Sequence, residues 1–413
     1  MSSKVVQLKC YCNEYPWGKL GSQSVAARLA AKTPGTDFKI DESKPYAEMW
    51  YGTYPDLPAY ALETGEPLQD YINRTPDELM GKHVVQKFGP NLPYLPKVLS
   101  IAKALPLQLH PVGLLPSLNK DLASELHSKN PSGFTDPNHK PEIAIALTKF
   151  EAFCGFKPLN GIEQLLLLEP LQRFLPKMEK PAFDDQTLKR VVKSMLEAPE
   201  EEVRQVEEAL IKVPESAFGN KHNVLQSDFE EPLTLDSQDP GSLVALLTMN
   251  YMTLQPGESI YIPADGIHAY LSGDIIECMA RSNNVLNTGF CPRADRDNIE
   301  TFISVLTFQP HAANEAILPS QPYKGSKNGH TMVYAPPMSE FNMLATDVPS
   351  GANETLSAVS GPNSIICTQG WGELKAEGKI YEIKEGYIFF IGQGVEFEFG
   401  AKEGLQVFTA YVE

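Results

Sequence analysis

The chain has 413 residues, a formal net charge of −17 at pH 7, and 42% hydrophobic and 21% charged residues. This composition is that of a globular protein large enough for two or three domains. The acidic balance argues against a nucleic-acid partner, because a phosphate backbone requires clustered cations, but a few cations in a pocket can still hold a small anion.

The first part of the chain predicts short strands and one helix. Residues 1–10 lack the apolar stretch of a signal peptide, and no segment reaches membrane-spanning length, so we expect a cytoplasmic protein without a membrane partner. From Lys4 to Phe150, β-branched and aromatic runs alternate with Gly, Pro and Asn turns, and a helix is predicted over residues 24–32. The six scattered cysteines favour reduced thiols over a disulfide framework.

Residues 105–111 (L-P-L-Q-L-H-P) predict a strand with one chemical face. Side chains alternate along a strand, so Gln108 and His110 point one way while Leu107 and Leu109 point the other. Each polar residue alone would be an ordinary strand amide or histidine. Together they are candidate metal ligands.

Residues 138–147 predict a second strand of this kind. If Ile143 and Ile145 pack into a core, Glu142 and Ala144 lie on the opposite face. A carboxylate beside small residues indicates a cavity wall, and the alternative is a plain exposed carboxylate. His139, just before this strand, is interpreted as a turn residue or as a group that orients a neighbour.

The middle of the chain changes to helical periodicity. Apolar residues recur at helical spacing within residues 188–196 and 203–213, which predicts amphipathic helices. Residues 216–242 are polar and predict a connection, after which strands are expected over residues 246–254 and 259–262. Short strands from about residue 311 onward complete the order: β, helical insert, β and β.

The third candidate segment ends in a turn followed by a histidine. Gly257, Pro263, Gly266 and His268 approximate the turn-and-histidine motif of the cupin class of small barrels, with the glycine one residue late. His268 joins Gln108, His110 and Glu142 as the fourth candidate ligand. Two imidazoles, one carboxylate and one amide oxygen suit a borderline divalent ion such as zinc.

Longer segments resemble the type I mannose-6-phosphate isomerase (phosphomannose isomerase) family. Residues 15–19 (Y-P-W-G-K) resemble the family's Y-x-W-G-K, and residues 45–52 (P-Y-A-E-M-W-Y-G) resemble P-Y-A-E-x-W-x-G. Residues 138–144 (N-H-K-P-E-I-A) are close to N-H-K-P-E-M-A, and residues 268–280 are similar to a further family block. Together these motifs are highly specific.

The resemblance implies a mainly β fold with an α insert: two cupin-like jelly-roll β-barrels plus a helical domain. The expected boundaries are 1–150 and 244–312 for a discontinuous catalytic domain, and 151–243 for the helical insert. A C-terminal barrel without a metal site is expected over residues 313–413.

The resemblance also implies an activity. It is that of a zinc-dependent isomerase that interconverts D-mannose 6-phosphate and D-fructose 6-phosphate through an enediol-type intermediate, supplying mannose for GDP-mannose and protein glycosylation. One Zn²⁺ per chain would be held by Gln108, His110, Glu142 and His268. The expected partner is a small sugar phosphate, and a monomer is expected.

Further site residues follow from matching positions in the family. The implied catalytic residues are Lys140, Glu277 and Arg293. The implied substrate-binding residues are Trp17, Glu48, Tyr270 and Asn287. Two alternatives remain open: Glu277 as an ion-pair partner of Arg281 on the same strand face, and Lys140 and Arg293 as solvated surface cations.

The sequence also departs from the family. Where members commonly have S-D-N-V-V-R-A-G-x-T-P-K, residues 282–293 are S-N-N-V-L-N-T-G-F-C-P-R. Asn287 therefore stands where an arginine is usual, while Arg293 replaces a lysine and keeps its charge. Pro106 stands where a serine is usual, and residues 112–118 form a predicted insertion that could cover the pocket or displace Gln108 and His110.

Two other functions are compatible with the same donor set. One is a cupin metal oxygenase, which would require iron and consume oxygen. The other is a non-catalytic sugar-phosphate-binding cupin, in which Asn287 and the insertion have removed turnover.

Overall fold

The computed structural model describes residues 3–111, 114–115, 120–130, 134–176, 183–214, 217 and 239–413. Over these ranges the fold is mainly β-sheet with a smaller helical part, which confirms the coarse class, whereas the two jelly-roll barrels stay a prediction. None of the helices in this part of the chain has the length and apolar character needed to cross a lipid bilayer. The predicted insertion at residues 112–118 lies, except for a two-residue strand, outside the described residues.

The amino-terminal part contains short strands around one well-capped helix. The helix predicted over residues 24–32 is confirmed as α1, and the Ser24 side chain caps it by accepting a hydrogen bond from the Ala27 N–H at 3.0 Å. The elements in order are β1 Val5–Lys9, β2 Cys12–Asn13, β3 Lys19–Leu20, α1 Val25–Lys32, β4 Pro45–Tyr46, β5 Glu48–Trp50, β6 Tyr60–Ala61, α2 Leu68–Asn73, α3 Pro76–Leu79, α4 Lys82–Phe88, β7 Tyr94–Ile101, β8 Leu107–Leu109, β9 Leu114–Leu115, β10 Lys120–Asp121, α5 Leu122–Lys129, β11 Glu142–Ala146 and β12 Phe150–Phe156.

The helical part follows β12. Its described helices are α6 Leu159–Leu166, α7 Asp185–Leu196, α8 Glu200–Leu210 and α9 Pro240–Thr248. The helices predicted over residues 188–196 and 203–213 are confirmed as α7 and α8. The strand predicted over residues 246–254 was wrong at its start, because α9 continues to Thr248. Asp239 caps this helix and Pro240 occupies its first turn, and a short apolar run alone does not distinguish helix from strand.

Strands dominate the remainder. The predicted strand at residues 259–262 is confirmed as β14, and β23 and β24 confirm the strand character of the carboxyl-terminal part. The elements are β13 Met249–Leu254, β14 Ser259–Ile262, β15 His268–Ala280, β16 Leu286–Gly289, α10 Ile299–Val305, β17 Gln321–Pro322, β18 Thr331–Tyr334, β19 Asn342–Val348, β20 Asn353–Leu356, β21 Asn363–Gln369, β22 Trp371–Ala376, β23 Lys379–Lys384, β24 Ile388–Ile391, β25 Phe397–Ala401 and β26 Leu405–Tyr411.

Two large sheets organise the described strands. In a ten-stranded sheet, the long strand β15 lies between β12 and β7 and also pairs with β11 and β8. An eight-stranded sheet has the order β17-β18-β19-β26-β21-β24-β1-β6, so the amino-terminal strands β1 and β6 complete a sheet of carboxyl-terminal strands. A four-stranded sheet, β20-β25-β22-β23, lies in the carboxyl-terminal part.

The two faces of β11 differ as predicted. Ile143 and Ile145 are fully buried in a core that the carboxyl-terminal strands share. On the opposite face, Ala144 pairs in register with Glu277 of β15, which in turn pairs with Lys97 of β7. Residues opposite each other on neighbouring strands share a face of the sheet. We call this side, which carries Glu142, Ala144, Glu277 and Lys97, the inner face.

Candidate metal centre and active site

Three predicted ligands converge on the inner face. One side-chain ligand atom from each of His110, Glu142 and His268 lies within 4.8 Å of the other two, and all three residues are buried. His110 follows β8, while Glu142 and His268 are the first residues of β11 and β15. β8 pairs with the start of β15, and β11 pairs with its end, so the sheet itself brings the three side chains together.

Backbone hydrogen bonds set the tautomers of both histidines. His110 Nδ1 is 2.8 Å from the carbonyl oxygen of Asn284, and His268 Nδ1 is 2.9 Å from that of Gly266. A carbonyl oxygen only accepts, so each Nδ1 carries the ring proton and donates it, which leaves a lone pair on each Nε2.

Both lone pairs face the same carboxylate. His110 Nε2 lies 3.2 Å from Glu142 Oε1, and His268 Nε2 lies 3.7 Å from Glu142 Oε2. Within the described part of the chain, the buried His110 Nε2 makes no hydrogen bond. Lone pairs that face one another without a proton between them are suited to bind a cation together. Histidines whose other ring nitrogen donates to a backbone carbonyl are typical of metal sites.

The protonation states agree with this interpretation. Burial lowers the pKa of His110 to about 4, and the neighbouring charge of Lys140 acts in the same direction. Burial also lowers the pKa of His268. Although burial opposes ionisation of Glu142, Lys140 and the two histidines hold its pKa well below the usual range. The three groups are therefore deprotonated at neutral pH, as metal ligation requires.

Gln108 completes the predicted set. It pairs in register with His268, and its amide nitrogen lies 3.4 Å from His268 Nε2. The amide oxygen and nitrogen have nearly the same shape, so a rotation of the group directs Oε1 to the same place. The donors then comprise two imidazoles, a carboxylate and an amide oxygen, which fit a divalent ion such as zinc.

A second set of charges lies beside these ligands. Lys97 is buried between Glu277 at 3.2 Å and Glu48 at 3.5 Å, and its ammonium is 4.7 Å from the centre of the Trp50 ring. Lys140 is 3.1 Å from Glu142 Oε1. Lys97 was not predicted as a site residue from the sequence. A lysine within the largely apolar strand of residues 94–101 was the signal that could have identified it.

Glu277 combines burial with like-charged neighbours. Burial raises its pKa from 4.5 to about 7; Lys97 opposes the rise, and Glu142 adds to it. Its ion-pair partner is Lys97 and not the expected alternative Arg281, whose guanidinium stacks on Tyr54. A carboxyl with such a pKa is able to accept and release a proton near neutral pH.

Three of the four predicted substrate-binding residues contact the inner face. Glu48 accepts a hydrogen bond from the Trp50 indole N–H at 2.5 Å, and the Tyr270 hydroxyl donates to Glu142 Oε2 at 3.3 Å. Trp17 packs against a buried apolar cluster that includes Ala144 and Tyr270. Its ring stacks on that of Tyr15, with the ring centres 5.9 Å apart. Their roles in binding a substrate stay predictions.

Residues 282–293, the segment that departs from the family, lie partly at the site and partly on the surface. Asn287 pairs in register with Gln108, and its buried Oδ1 has no hydrogen-bond partner among the described residues. Arg293 lies on the surface in a short 3-10 turn after Pro292, and its Nε is 3.0 Å from Glu200 of α8. Asn287 therefore lies beside the proposed ligand Gln108, whereas Arg293 forms an ion pair with Glu200 on the surface. The catalytic role of Arg293 stays a prediction.

A hydrogen bond between side chains connects the carboxyl-terminal part to the segment that carries Lys140. His139 directly precedes Lys140 in sequence, and its Nε2 lies 2.8 Å from Glu340 Oε1. Burial opposes ionisation of Glu340, but His139 holds its pKa below the usual value. This contact connects the segment that carries Lys140 to a residue distant in sequence, and the role of His139 as an orienting group stays a prediction.

Comparison with known proteins identifies close similarity over the whole chain. The sequence model of the family "phosphomannose isomerase type I, catalytic domain" matches residues 5–159. The mannose-6-phosphate isomerase of Schizosaccharomyces pombe is 35% identical, over 98% of this chain and 99% of its own length. That of Saccharomyces cerevisiae is 34% identical over 100% of both chains. That of Aspergillus fumigatus is 35% identical, over 95% of this chain and 92% of its own length.

Solved structures show the same fold. The mannose 6-phosphate isomerase from Salmonella typhimurium, bound to fructose 6-phosphate and zinc, superposes with a TM-score of 0.78 at 23% sequence identity, over 100% of both chains. A mannose 6-phosphate isomerase bound with zinc and yttrium gives a TM-score of 0.79, also at 23% identity and over 100% of both chains.

Proposed function

The chain belongs to the type I mannose-6-phosphate isomerase family, and we propose that it interconverts D-mannose 6-phosphate and D-fructose 6-phosphate with one zinc ion per chain. One observation carries the proposal. The lone pairs of His110 and His268 and the carboxylate of Glu142 face one another in a buried site, beside a second carboxyl whose pKa is about 7. Metal ligation and proton transfer are the two functions that an aldose-ketose isomerisation requires.

Each step is assigned to residues of the inner face. We propose Gln108, His110, Glu142 and His268 as the zinc ligands. When bound, zinc would stabilise negative charge on a substrate oxygen as the neighbouring carbon loses its proton. Glu277 would accept that proton and return it to the adjacent carbon through an enediol-type intermediate, while the hydroxyl proton moves from one substrate oxygen to the other. A group with a pKa of about 7 suits this role because it populates both protonation states near neutral pH.

Two lysines maintain the charge balance for this chemistry. Lys140 contacts Glu142 at 3.1 Å and still has ammonium protons to donate to a substrate oxygen. Lys97 keeps Glu48 and Glu277 in place within hydrogen-bond or ion-pair distance. The side chains of Trp17 and Tyr270 would exclude water from the bound sugar.

Four further expectations belong to this proposal. They are the division into cupin-like barrels and a helical domain at residues 1–150 with 244–312, 151–243 and 313–413; a monomeric state; a cytoplasmic location; and a role in supplying mannose for GDP-mannose. The membership of the chain in the isomerase family supports all four.

A coupled isomerase assay with metal analysis on the same sample tests the proposed function. Purified protein loaded with zinc should form fructose 6-phosphate from mannose 6-phosphate, chelation should abolish the activity, and added zinc should restore it. Zinc-loaded protein that forms no product, or activity that survives complete chelation, would overturn the proposal. Iron with oxygen consumption would favour an oxygenase, and tight binding without turnover would favour a non-catalytic protein.

Replacing Glu340 by Gln should lower kcat about 3- to 10-fold without changing the zinc content. The substitution exchanges a charged hydrogen bond to His139 for a neutral one, which is weaker by about 1 kcal/mol and loosens the Lys140 segment. Glu382→Gln, which removes an exposed surface carboxylate paired with Lys384, serves as the control. Equal kinetic constants for both variants would mean that the His139 contact has no influence on catalysis.

A further inference from the structure

The inner face carries a further cation beside the two lysines, Arg281. Lys97 is held between Glu48 and Glu277, and Lys140 contacts Glu142. Arg281 forms no ion pair within the described residues, and its buried Nε has no hydrogen-bond partner there. A buried guanidinium N–H without an acceptor is costly, so such a group is suited to an anionic ligand.

The strand register places Arg281 close to the metal ligands. Its backbone N–H donates to the carbonyl oxygen of Pro93 at 2.9 Å, which extends the pairing of β15 by one residue. Alternation puts residues 277, 279 and 281 on one face, and Met279 pairs with the ligand Glu142. Arg281 lies two residues beyond Met279, the partner of Glu142, which corresponds to about 7 Å along the strand. One sugar phosphate is long enough to span this interval along the strand.

Neighbouring groups hold the guanidinium in position. It lies over the Tyr54 ring at 5.1 Å, and this ring packs edge-on against Trp50 with centres 6.1 Å apart. The Tyr54 hydroxyl donates to Asp136 at 3.2 Å, and the Asn138 amide donates to the carbonyl oxygen of Arg281 at 2.9 Å. The cation is therefore oriented before any ligand binds, and less conformational entropy is lost on binding.

We propose that Arg281 binds the phosphate group of the sugar phosphate and fixes the distance between that group and the metal. The inference rests on the proposed function. A planar guanidinium offers a phosphate two parallel N–H donors, whereas Lys97 and Lys140 already neutralise carboxylates. Asn287, which pairs in register with Gln108, is uncharged and offers a phosphate no positive charge.

Burial and local charge agree with this assignment. Burial lowers the pKa of the Arg281 guanidinium, whereas the nearby Tyr54 and Asp136 raise it. A bound phosphate dianion would add a stronger opposing contribution.

The test compares Arg281→Gln and Arg281→Lys with Arg74→Gln. Arg74 is a matched control because it also lies over a tyrosine, Tyr71 at 5.4 Å, but is exposed and paired with Glu66. For Arg281→Gln we expect KM for mannose 6-phosphate and the inhibition constant of inorganic phosphate to rise about 10- to 100-fold, with kcat within about threefold. Arg281→Lys should lie between Arg281→Gln and the unchanged protein, and Arg74→Gln should change neither constant.

A second measurement separates this inference from the proposed function. The Kd of inorganic phosphate is measured by calorimetry on the zinc-loaded unchanged protein and on each variant, together with urea unfolding. A Kd that rises only in the Arg281 variants supports the inference even if the unchanged protein proves to be inactive as an isomerase. An unchanged Kd and KM in Arg281→Gln would overturn it, even if isomerase activity is confirmed and the variant is less stable.

Discussion

Replacing Glu142 by Gln is expected to leave the protein largely free of zinc and to lower isomerase activity more than about 100-fold. Loss of a group that only orients a metal ligand typically costs 10- to 100-fold in affinity or activity, and Glu142 is itself a proposed ligand. The neutral amide keeps the shape of the side chain but presents one acceptor in place of two charged oxygens. Metal content per chain and the coupled assay, measured on the same preparation, give the result.

Stability must be separated from metal loss in this experiment. Lys140 loses a charged partner at 3.1 Å, so we expect the free energy of unfolding of the zinc-free variant to fall by about 1–3 kcal/mol. Glu354→Gln is the matched control. Glu354 is a fully buried carboxylate of the carboxyl-terminal part that accepts hydrogen bonds from the backbone N–H groups of Lys327 and Asn328 at 3.1 Å. This control should lose stability but retain zinc, and full zinc occupancy in Glu142→Gln would refute the ligand assignment.

Replacing Lys97 by Met is expected to have the second large effect, a loss of about 3–5 kcal/mol in the free energy of unfolding above neutral pH. The substitution leaves the buried carboxylates of Glu48 and Glu277 without their cation. It also lowers activity by at least about tenfold, because Glu277 then stays protonated and accepts no proton. Urea unfolding with a chelator present measures the stability without interference from zinc.

The loss should depend on pH. Burial raises the pKa of Glu277 from 4.5 to about 7 in the native state, whereas the unfolded chain releases this proton near 4.5. The native state binds more protons between these values, so stability falls as the pH rises through this range. Without Lys97 the native pKa rises further and the range extends above 7. The difference between Lys97→Met and the unchanged protein should therefore be larger at about pH 9 than at about pH 6.

The double variant Lys97→Met/Glu277→Gln tests the cause. Removing the second charge should restore part of the stability lost in Lys97→Met, because the buried carboxylate that lost its partner is then neutral. If the two substitutions simply add, or if the stability difference does not change with pH, the charge of Glu277 is not responsible for the loss.

The metal site was predictable from the sequence because its signals are local. Alternation along β11 separated Glu142 from Ile143, and the same alternation placed Gln108 beside His110. Lys97 was missed for the opposite reason: its role depends on the pairing of β7 with β15, which brings Glu277 across from it. The register between strands distant in sequence is set by tertiary packing and leaves no local pattern.

The other differences have the same origin. The start of α9 depends on the cap at Asp239, a residue within the stretch predicted to be a connection. The surface position of Arg293 depends on its contact with Glu200, a residue of the helical part. In both cases the residue that decides the conformation lies outside the segment from which the prediction was made.

The pairing of β1 with β24 has a consequence for how the site forms during synthesis. Lys4 and Gln393, which flank this pair, are 389 positions apart, so their contact requires nearly the whole chain. Contacts between such distant segments form slowly, because a long loop must close first. All four proposed ligands precede β24, and the core behind Ile143 includes Phe390 of that strand. The nascent chain therefore exposes a complete set of metal ligands before the strands that support them from behind have been made.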